Sequence, residues 1–108
     1  MTRQHQEQVL NIEKGKWLRK SYEELVTLVP KPFVEPFVYE VDQFGIRFIV
    51  ELDLLEVQSD YVTVILDVTG GVVSNRLLGQ LKVGEGSGTS WKVYRDGRVE
   101  ECGIERRK

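Results

Sequence analysis

The fold is decided by residues 37–69, which read FVYEVDQFGIRFIVELDLLEVQSDYVTVILDVT. Within this stretch, apolar and polar residues alternate over three runs that are separated by short turn-forming segments. A period of two places successive side chains on opposite faces of a strand. Three consecutive strands with one apolar face each predict an antiparallel β-meander.

The requirement that apolar faces coincide also predicts how the strands pair. In the second hairpin, pairing Leu52 with Leu66 would set Glu51 directly across from Asp67, and a shift of two residues would make these acids diagonal neighbours, so both registers stay open. In the first hairpin, a four-residue turn at 42–45 is expected to set Glu40 opposite Arg47, an opposite-charge pair. The meander is therefore expected to have one apolar face and one face that mixes charges with apolar residues.

Residues 2–14, which precede the meander, favour a weakly amphipathic helix that Gly15 would end. The alternative is a pair of short strands over 9–13 and 16–19 that turns near this glycine. We predict the helix because the apolar residues of this segment lie among glutamine, glutamate and lysine without strict alternation.

Capping and turn residues mark the remaining elements. Ser21-Tyr-Glu-Glu24 has the form of a capping box and predicts a short helix that Pro30 would end. Residues 84–90 are rich in glycine and serine and indicate a flexible loop. Asp96-Gly97 predicts a two-residue hairpin turn between two short strands, and residues 103–108 are expected to fray.

The chain has 108 residues, a common size for one domain and long enough to bury a core without disulfides or metal. Its hydrophobic fraction of 41% and charged fraction of 30% are ordinary for a globular protein. We therefore predict a single α+β domain over residues 1–108. It consists of an antiparallel meander of four to six strands with one or two N-terminal helices packed on one face.

The single cysteine, Cys102, excludes an internal disulfide framework and a cysteine-rich zinc site. The polar N-terminal residues do not resemble a signal peptide, and no apolar run approaches the roughly 20 residues that span a bilayer. These features predict a cytoplasmic protein that does not bind membranes.

Charge is distributed unevenly along the chain. The formal net charge is −2 at pH 7, which argues against a strongly basic nucleic-acid binder. Residues 33–69, however, hold eight acids and a single base, Arg47. We interpret the imbalance as acidic strands beside basic segments that neutralise them, rather than as an acidic functional face.

Glu51, Asp53 and Asp67 form the one acidic cluster and are the weak candidates for catalytic residues. Clustered carboxylates can share a proton or hold a hard cation, which would suit metal-assisted or acid–base catalysis. The favoured interpretation is a charged sheet face that keeps the strands soluble. No metal site and no cofactor are predicted.

The same predicted face carries Ile49, Leu55 and Ile65. Apolar residues on a face that the helices do not cover are typical of surfaces that contact another protein. These three residues are therefore the predicted partner-binding residues.

Lys14, Lys16, Trp17 and Lys20 form the one cluster of basic residues around an aromatic residue. Such a cluster could follow a phosphate backbone and stack a base. The competing interpretation, which we favour, is a solvated helix end whose tryptophan anchors the chain to the core.

Two further patterns do not predict a functional site. His5, the single histidine, has no spacing that predicts a catalytic arrangement with Ser21, Ser74 or Cys102. The glycines at 84, 86 and 88 lack the spacing and the following helix of a phosphate-binding loop.

The sequence thus predicts a non-enzymatic protein-interaction or accessory domain with a protein partner or a second copy in a homodimer. The first alternative is a metal-dependent or acid–base enzyme that uses the acidic sheet face. The second alternative is nucleotide or nucleic-acid binding.

Overall fold

The computed structural model describes residues 3–70 and 87–105. It confirms an α+β fold, with two N-terminal helices followed by five strands. The elements are α1 (Arg3–Trp17), α2 (Tyr22–Leu28), β1 (Phe37–Gln43), β2 (Ile46–Val57), β3 (Tyr61–Gly70), β4 (Ser87–Tyr94) and β5 (Val99–Glu105). Neither helix in this part of the chain is long and apolar enough to cross a membrane.

The five strands form one antiparallel sheet in the order β1-β2-β3-β4-β5. Every strand pairs with its neighbour in sequence, so the sheet is the predicted meander. Of the two registers that the sequence leaves open for the second hairpin, the structure has the one in which Leu52 lies opposite Leu66 and Glu51 lies directly across from Asp67. A bulge at Leu55 then interrupts the pairing of β2 with β3.

The first hairpin turns on two residues, Phe44 and Gly45, and the predicted four-residue turn is wrong. Both residues have positive φ, 57° and 72°, as in the type I′ turn whose twist matches that of paired strands. The shorter turn shifts the pairing by two residues, so the apolar faces still coincide. Arg47 now lies opposite Asp42, to which its Nε donates at 3.2 Å, and is a diagonal neighbour of Glu40.

The N-terminal segment is helical, and α1 continues through Gly15 to Trp17. The predicted end of the helix at Gly15 is therefore wrong. This glycine is exposed and has a helical backbone. A side-chain carbon added at its position would have no atom within 4 Å. The helix buries Val9 and Leu10 against the sheet. The free energy gained by this burial offsets the small loss of helix stability that an internal glycine causes.

The capping box is confirmed at the start of α2. The Ser21 N–H donates to Glu24 Oε1 at 2.8 Å, and the Glu24 N–H donates to Ser21 Oγ at 3.2 Å. The hydrogen bond from the Ser21 backbone lowers the pKa of Glu24 below its usual range. The helix ends at Leu28, two residues before Pro30, as the proline predicts.

Both helices pack on the same face of the sheet, which we call the inner face. The core between them consists of buried apolar side chains, including those of Val9, Leu10, Tyr22, Leu25, Val29, Phe48, Val50, Leu52, Leu54, Val62, Val64, Leu66, Val68, Trp91 and Val93. The opposite face, which we call the outer face, is not covered by either helix.

The C-terminal hairpin differs from the prediction in its details. β4 begins at Ser87, so the predicted loop over 84–90 is wrong for residues 87–90, and residues 84–86 lie outside the described part of the chain. The loop between β4 and β5 is longer than two residues, because the Tyr94 N–H donates to the Arg98 carbonyl at 2.9 Å and Gly97 adopts a φ of 99°. β5 extends to Glu105, and residues 106–108 are outside the described part of the chain.

Candidate functional site

The three acids of the predicted cluster lie together on the outer face and are half-buried. Glu51 and Asp67 are direct cross-strand neighbours, and Asp53 follows on β2 opposite Ile65. Asp53 has a local structural role, because its Oδ1 accepts from the backbone N–H of Phe33 at 3.1 Å and of Leu54 at 2.8 Å. Among the described residues, no three His, Cys, Asp or Glu side chains are grouped so that they could hold a metal ion.

Gly88 lies opposite Asp67 and belongs to this surface rather than to a loop. A side-chain carbon at Gly88 would overlap the Asp67 carboxylate. The glycine is therefore explained by the close approach of an acidic side chain across the strand pair. It has no role in a phosphate-binding loop, because it lies within β4.

Glu56, another acidic residue of the outer face, accepts hydrogen bonds from hydroxyl groups. Glu56 accepts hydrogen bonds from Tyr61 Oη at 3.1 Å and Thr63 Oγ1 at 3.2 Å. The Tyr61 hydrogen bond, the largest contribution, lowers the pKa of Glu56. The carboxylate is thus ionised at neutral pH and contributes to a negative surface.

The predicted partner-binding residues differ in their exposure. Ile49 and Ile65 are half-buried in the middle of the outer face, whereas Leu55 is exposed at the bulge of β2. The structure therefore places all three on the expected face, with Leu55 nearest to one end of it.

Four exposed apolar side chains come from the loop before β1, from the start of β1 and from the bulge of β2, and we call them the apolar corner: Phe33, Val34, Val38 and Leu55. Their exposed fractions are 67%, 71%, 52% and 43%. The loop before β1 reaches the outer face here, because the Phe33 N–H is bonded to Asp53. Phe33 adopts a φ of 70°, a left-handed conformation that is uncommon for an aromatic residue.

On the inner face, beside the start of β1, lies an open groove of about 640 Å³. Its volume is within the range of sites that hold small ligands or side chains. The aromatic rings of Trp17 and Phe37 meet edge to face in its wall, with centroids 5.7 Å apart. The remaining lining residues are Lys20, Glu23, Glu24, Thr27 and Leu28.

The Trp17 ring is held in place by a hydrogen-bonded chain. Its Nε1 donates to Tyr39 Oη at 2.8 Å, and the Tyr39 hydroxyl donates to Glu13 Oε1 at 2.6 Å. Glu13 is buried, and its other oxygen accepts from Lys16 Nζ at 3.0 Å. Burial, together with the adjacent Glu13 carboxylate, raises the pKa of Tyr39 well above its usual range.

The basic side chains near Trp17 have different partners in the structure. Lys14 Nζ is engaged by Glu101 at 2.7 Å and by Thr89 at 3.3 Å, and Lys16 pairs with Glu13. Lys20 lies with its Nζ 6.0 Å from the centre of the Trp17 ring. Only Trp17 and Lys20 share a surface, that of the groove.

Among the described residues that the sequence offers for nucleophilic catalysis, His5 and Ser21 have separate structural roles. His5 stacks on Phe44 with ring centroids 4.7 Å apart, and Ser21 caps α2. Cys102 lies in β5, and its side chain is not described. Ser74 lies outside the described part of the chain.

The fold and these surfaces define an α+β domain with a five-stranded meander, a groove on its inner face and an apolar corner on its outer face. No family model, no curated protein and no solved structure matches the chain.

Sequence reasoning identified only Leu55 of the apolar corner and did not predict the groove. The corner had a local signal, since Phe33-Val34 is an apolar pair between prolines in a segment without strand alternation. The groove had none, because Trp17, Leu28 and Phe37 are distant in sequence and meet only in the folded chain.

Proposed function

We propose that this chain is a non-enzymatic protein-interaction domain that binds its partner at the β1 end of the sheet. The observation that carries the proposal is the apolar corner, in which four large apolar side chains are exposed on adjoining segments. Single exposed apolar residues are normal, but a contiguous group is typical of a contact surface. The groove on the other side of β1 extends the available surface to both faces.

The acidic outer face supports a partner of opposite charge. On β1 and β2 it carries one guanidinium, that of Arg47, against five carboxylates: those of Glu40, Asp42, Glu51, Asp53 and Glu56. Complementary charge steers association and excludes wrong partners. A homodimer through this face would bring carboxylates against carboxylates, so we propose a protein partner rather than a second copy.

Panning of a random peptide library against the protein tests this proposal. We expect peptides to be enriched that bind the wild-type chain and lose at least tenfold in affinity for the double variant Phe33→Ser, Val38→Ser. The variant removes apolar contact area at exposed positions, where substitutions leave the fold intact.

The control is Ile12→Ser, which removes from α1 an apolar side chain that is 45% exposed. It is expected to bind the selected peptides as the wild-type chain does. Absence of enrichment, or peptides that bind all three proteins equally, would refute a role for the apolar corner.

A further inference from the structure

We propose that the partner supplies an extended segment of alternating apolar and basic residues, which pairs as an additional strand with the edge of β1 that faces away from β2. This inference rests on the proposed interaction function and specifies its mode and its partner. Strand addition of this kind derives affinity from main-chain hydrogen bonds and specificity from alternate side chains.

The backbone of β1 is arranged for such pairing. β1 is at the end of the strand order and, within the described part of the chain, pairs with β2 alone. Gln43 and Ile46 close a two-residue turn, and hydrogen-bonded and non-bonded pairs alternate from there along the hairpin. The N–H and C=O groups of Val38, Glu40 and Asp42 therefore point away from β2.

The side chains that would flank the added strand differ on the two faces. The inner-face residues of β1 are Phe37, Tyr39 and Val41, which are half-buried and apolar or aromatic. The groove begins at Phe37, beside Trp17. Every second side chain of an added strand would contact this row, so those side chains are expected to be apolar.

On the outer face, the added strand would lie beside Val38, Glu40 and Asp42. Arg47 bridges the two acids, with Nε 3.2 Å from Asp42 Oδ1 and Nη1 3.6 Å from Glu40 Oε1. One guanidinium shared between two carboxylates leaves negative charge along the edge. Lysine or arginine at the alternate positions of the added strand would complement it.

A second copy of the chain does not fit this edge. When β1 pairs with itself in the antiparallel register centred on Glu40, the two Glu40 side chains lie opposite each other, and like charges at opposing positions are destabilising. The same acids that protect the edge from self-association therefore select a basic partner.

The test uses four capped ten-residue peptides. The first alternates Val and Lys, and the second alternates Val and Glu. The other two are the Val–Lys peptide with N-methyl groups on every Val or on every Lys. The Val–Lys peptide is expected to bind saturably, and the Val–Glu peptide at least tenfold more weakly.

The N-methyl pair distinguishes strand addition from any other contact. Successive N–H groups of a strand point to opposite edges. Methylation therefore blocks the N–H groups that face β1 in only one of the two N-methylated peptides. That peptide is expected to lose at least tenfold in affinity, and the other is expected to bind nearly as the parent does. Equal binding of both, or preference for the Val–Glu peptide, would overturn the inference.

Failure of this inference is distinguishable from failure of the proposed function. If panning yields peptides that require Phe33 and Val38 but none is affected by N-methylation, the interaction domain stands and strand addition is wrong. If neither panning nor the Val–Lys peptide detects binding, both are wrong.

Discussion

Phe48→Ala is expected to lower the free energy of unfolding by about 3–5 kcal/mol, the largest effect of any substitution considered. Phe48 is completely buried on the inner face of β2, near the start of the strand. Truncation removes its apolar area from the core and leaves a cavity that the surrounding strands can only partly fill. Urea denaturation followed by circular dichroism measures the change, with an unchanged m-value expected.

Phe33→Ala is the matched control, because it makes the same chemical change at a side chain that is 67% exposed. Its free energy of unfolding is expected to stay within about 0.5 kcal/mol of the wild type. Comparison of the two free energies of unfolding thus distinguishes a buried core position from a position on the proposed contact surface. A destabilisation by Phe33→Ala comparable to that of Phe48→Ala would show that Phe33 belongs to the core.

Tyr39→Phe is expected to cost about 2–4 kcal/mol, because the loss of one hydroxyl leaves two groups without a partner, each worth about 1–3 kcal/mol. These groups are a carboxylate oxygen of the buried Glu13 and the indole N–H of Trp17. The Trp17 ring would also lose the contact that orients it in the groove wall. Thermal and urea denaturation measure the stability, and the indole fluorescence of Trp17 reports its altered surroundings.

The same hydroxyl predicts a pH dependence at the alkaline end. Burial beside Glu13 raises the pKa of Tyr39 in the folded chain, whereas in the unfolded chain it is near its ordinary value of about 10. Above that pH the folded state holds more protons than the unfolded state, so stability falls as pH rises. Tyr39→Phe is expected to lack this part of the decline, and an unchanged profile would contradict the hydrogen-bonded chain.

Much of the fold is predictable from sequence because it depends on local patterns. Strict alternation over 37–69 predicts the meander, and the coincidence of apolar faces predicts that Glu51 and Asp67 lie close together on the opposite face. The capping box at Ser21 follows from two residues three positions apart. Each of these signals lies within a few residues and needs no knowledge of the rest of the chain.

The errors have a common cause, since they concern positions whose conformation depends on tertiary contacts and not on the local sequence. Gly15 does not end α1, because the following turn continues to Trp17, which tertiary contacts hold. Phe44 accepts a left-handed backbone because the twist of the paired strands requires a type I′ turn. Glu13 is charged and would be expected on a solvated helix face, yet it is buried because Tyr39 and Lys16 satisfy it.

The candidate site was only partly predictable for the same reason. Leu55 was identified because alternation places it on the outer face, and the structure locates it at the apolar corner. The remainder depends on where the loop before β1 runs, which the hydrogen bond from Phe33 to Asp53 determines. A contact between residues 20 positions apart leaves no periodic signal in the sequence.

Amide hydrogen exchange in the free and peptide-bound protein tests the docking of a partner strand on β1 most directly. In the free protein, the amides of Val38, Glu40 and Asp42 are expected to exchange rapidly, because they point away from β2. Saturation with the Val–Lys peptide is expected to slow their exchange at least tenfold. The exchange rates of the Tyr39 and Val41 amides, which point towards β2, are expected to stay nearly unchanged. Unaltered exchange at the three outward amides under saturating peptide would contradict the account.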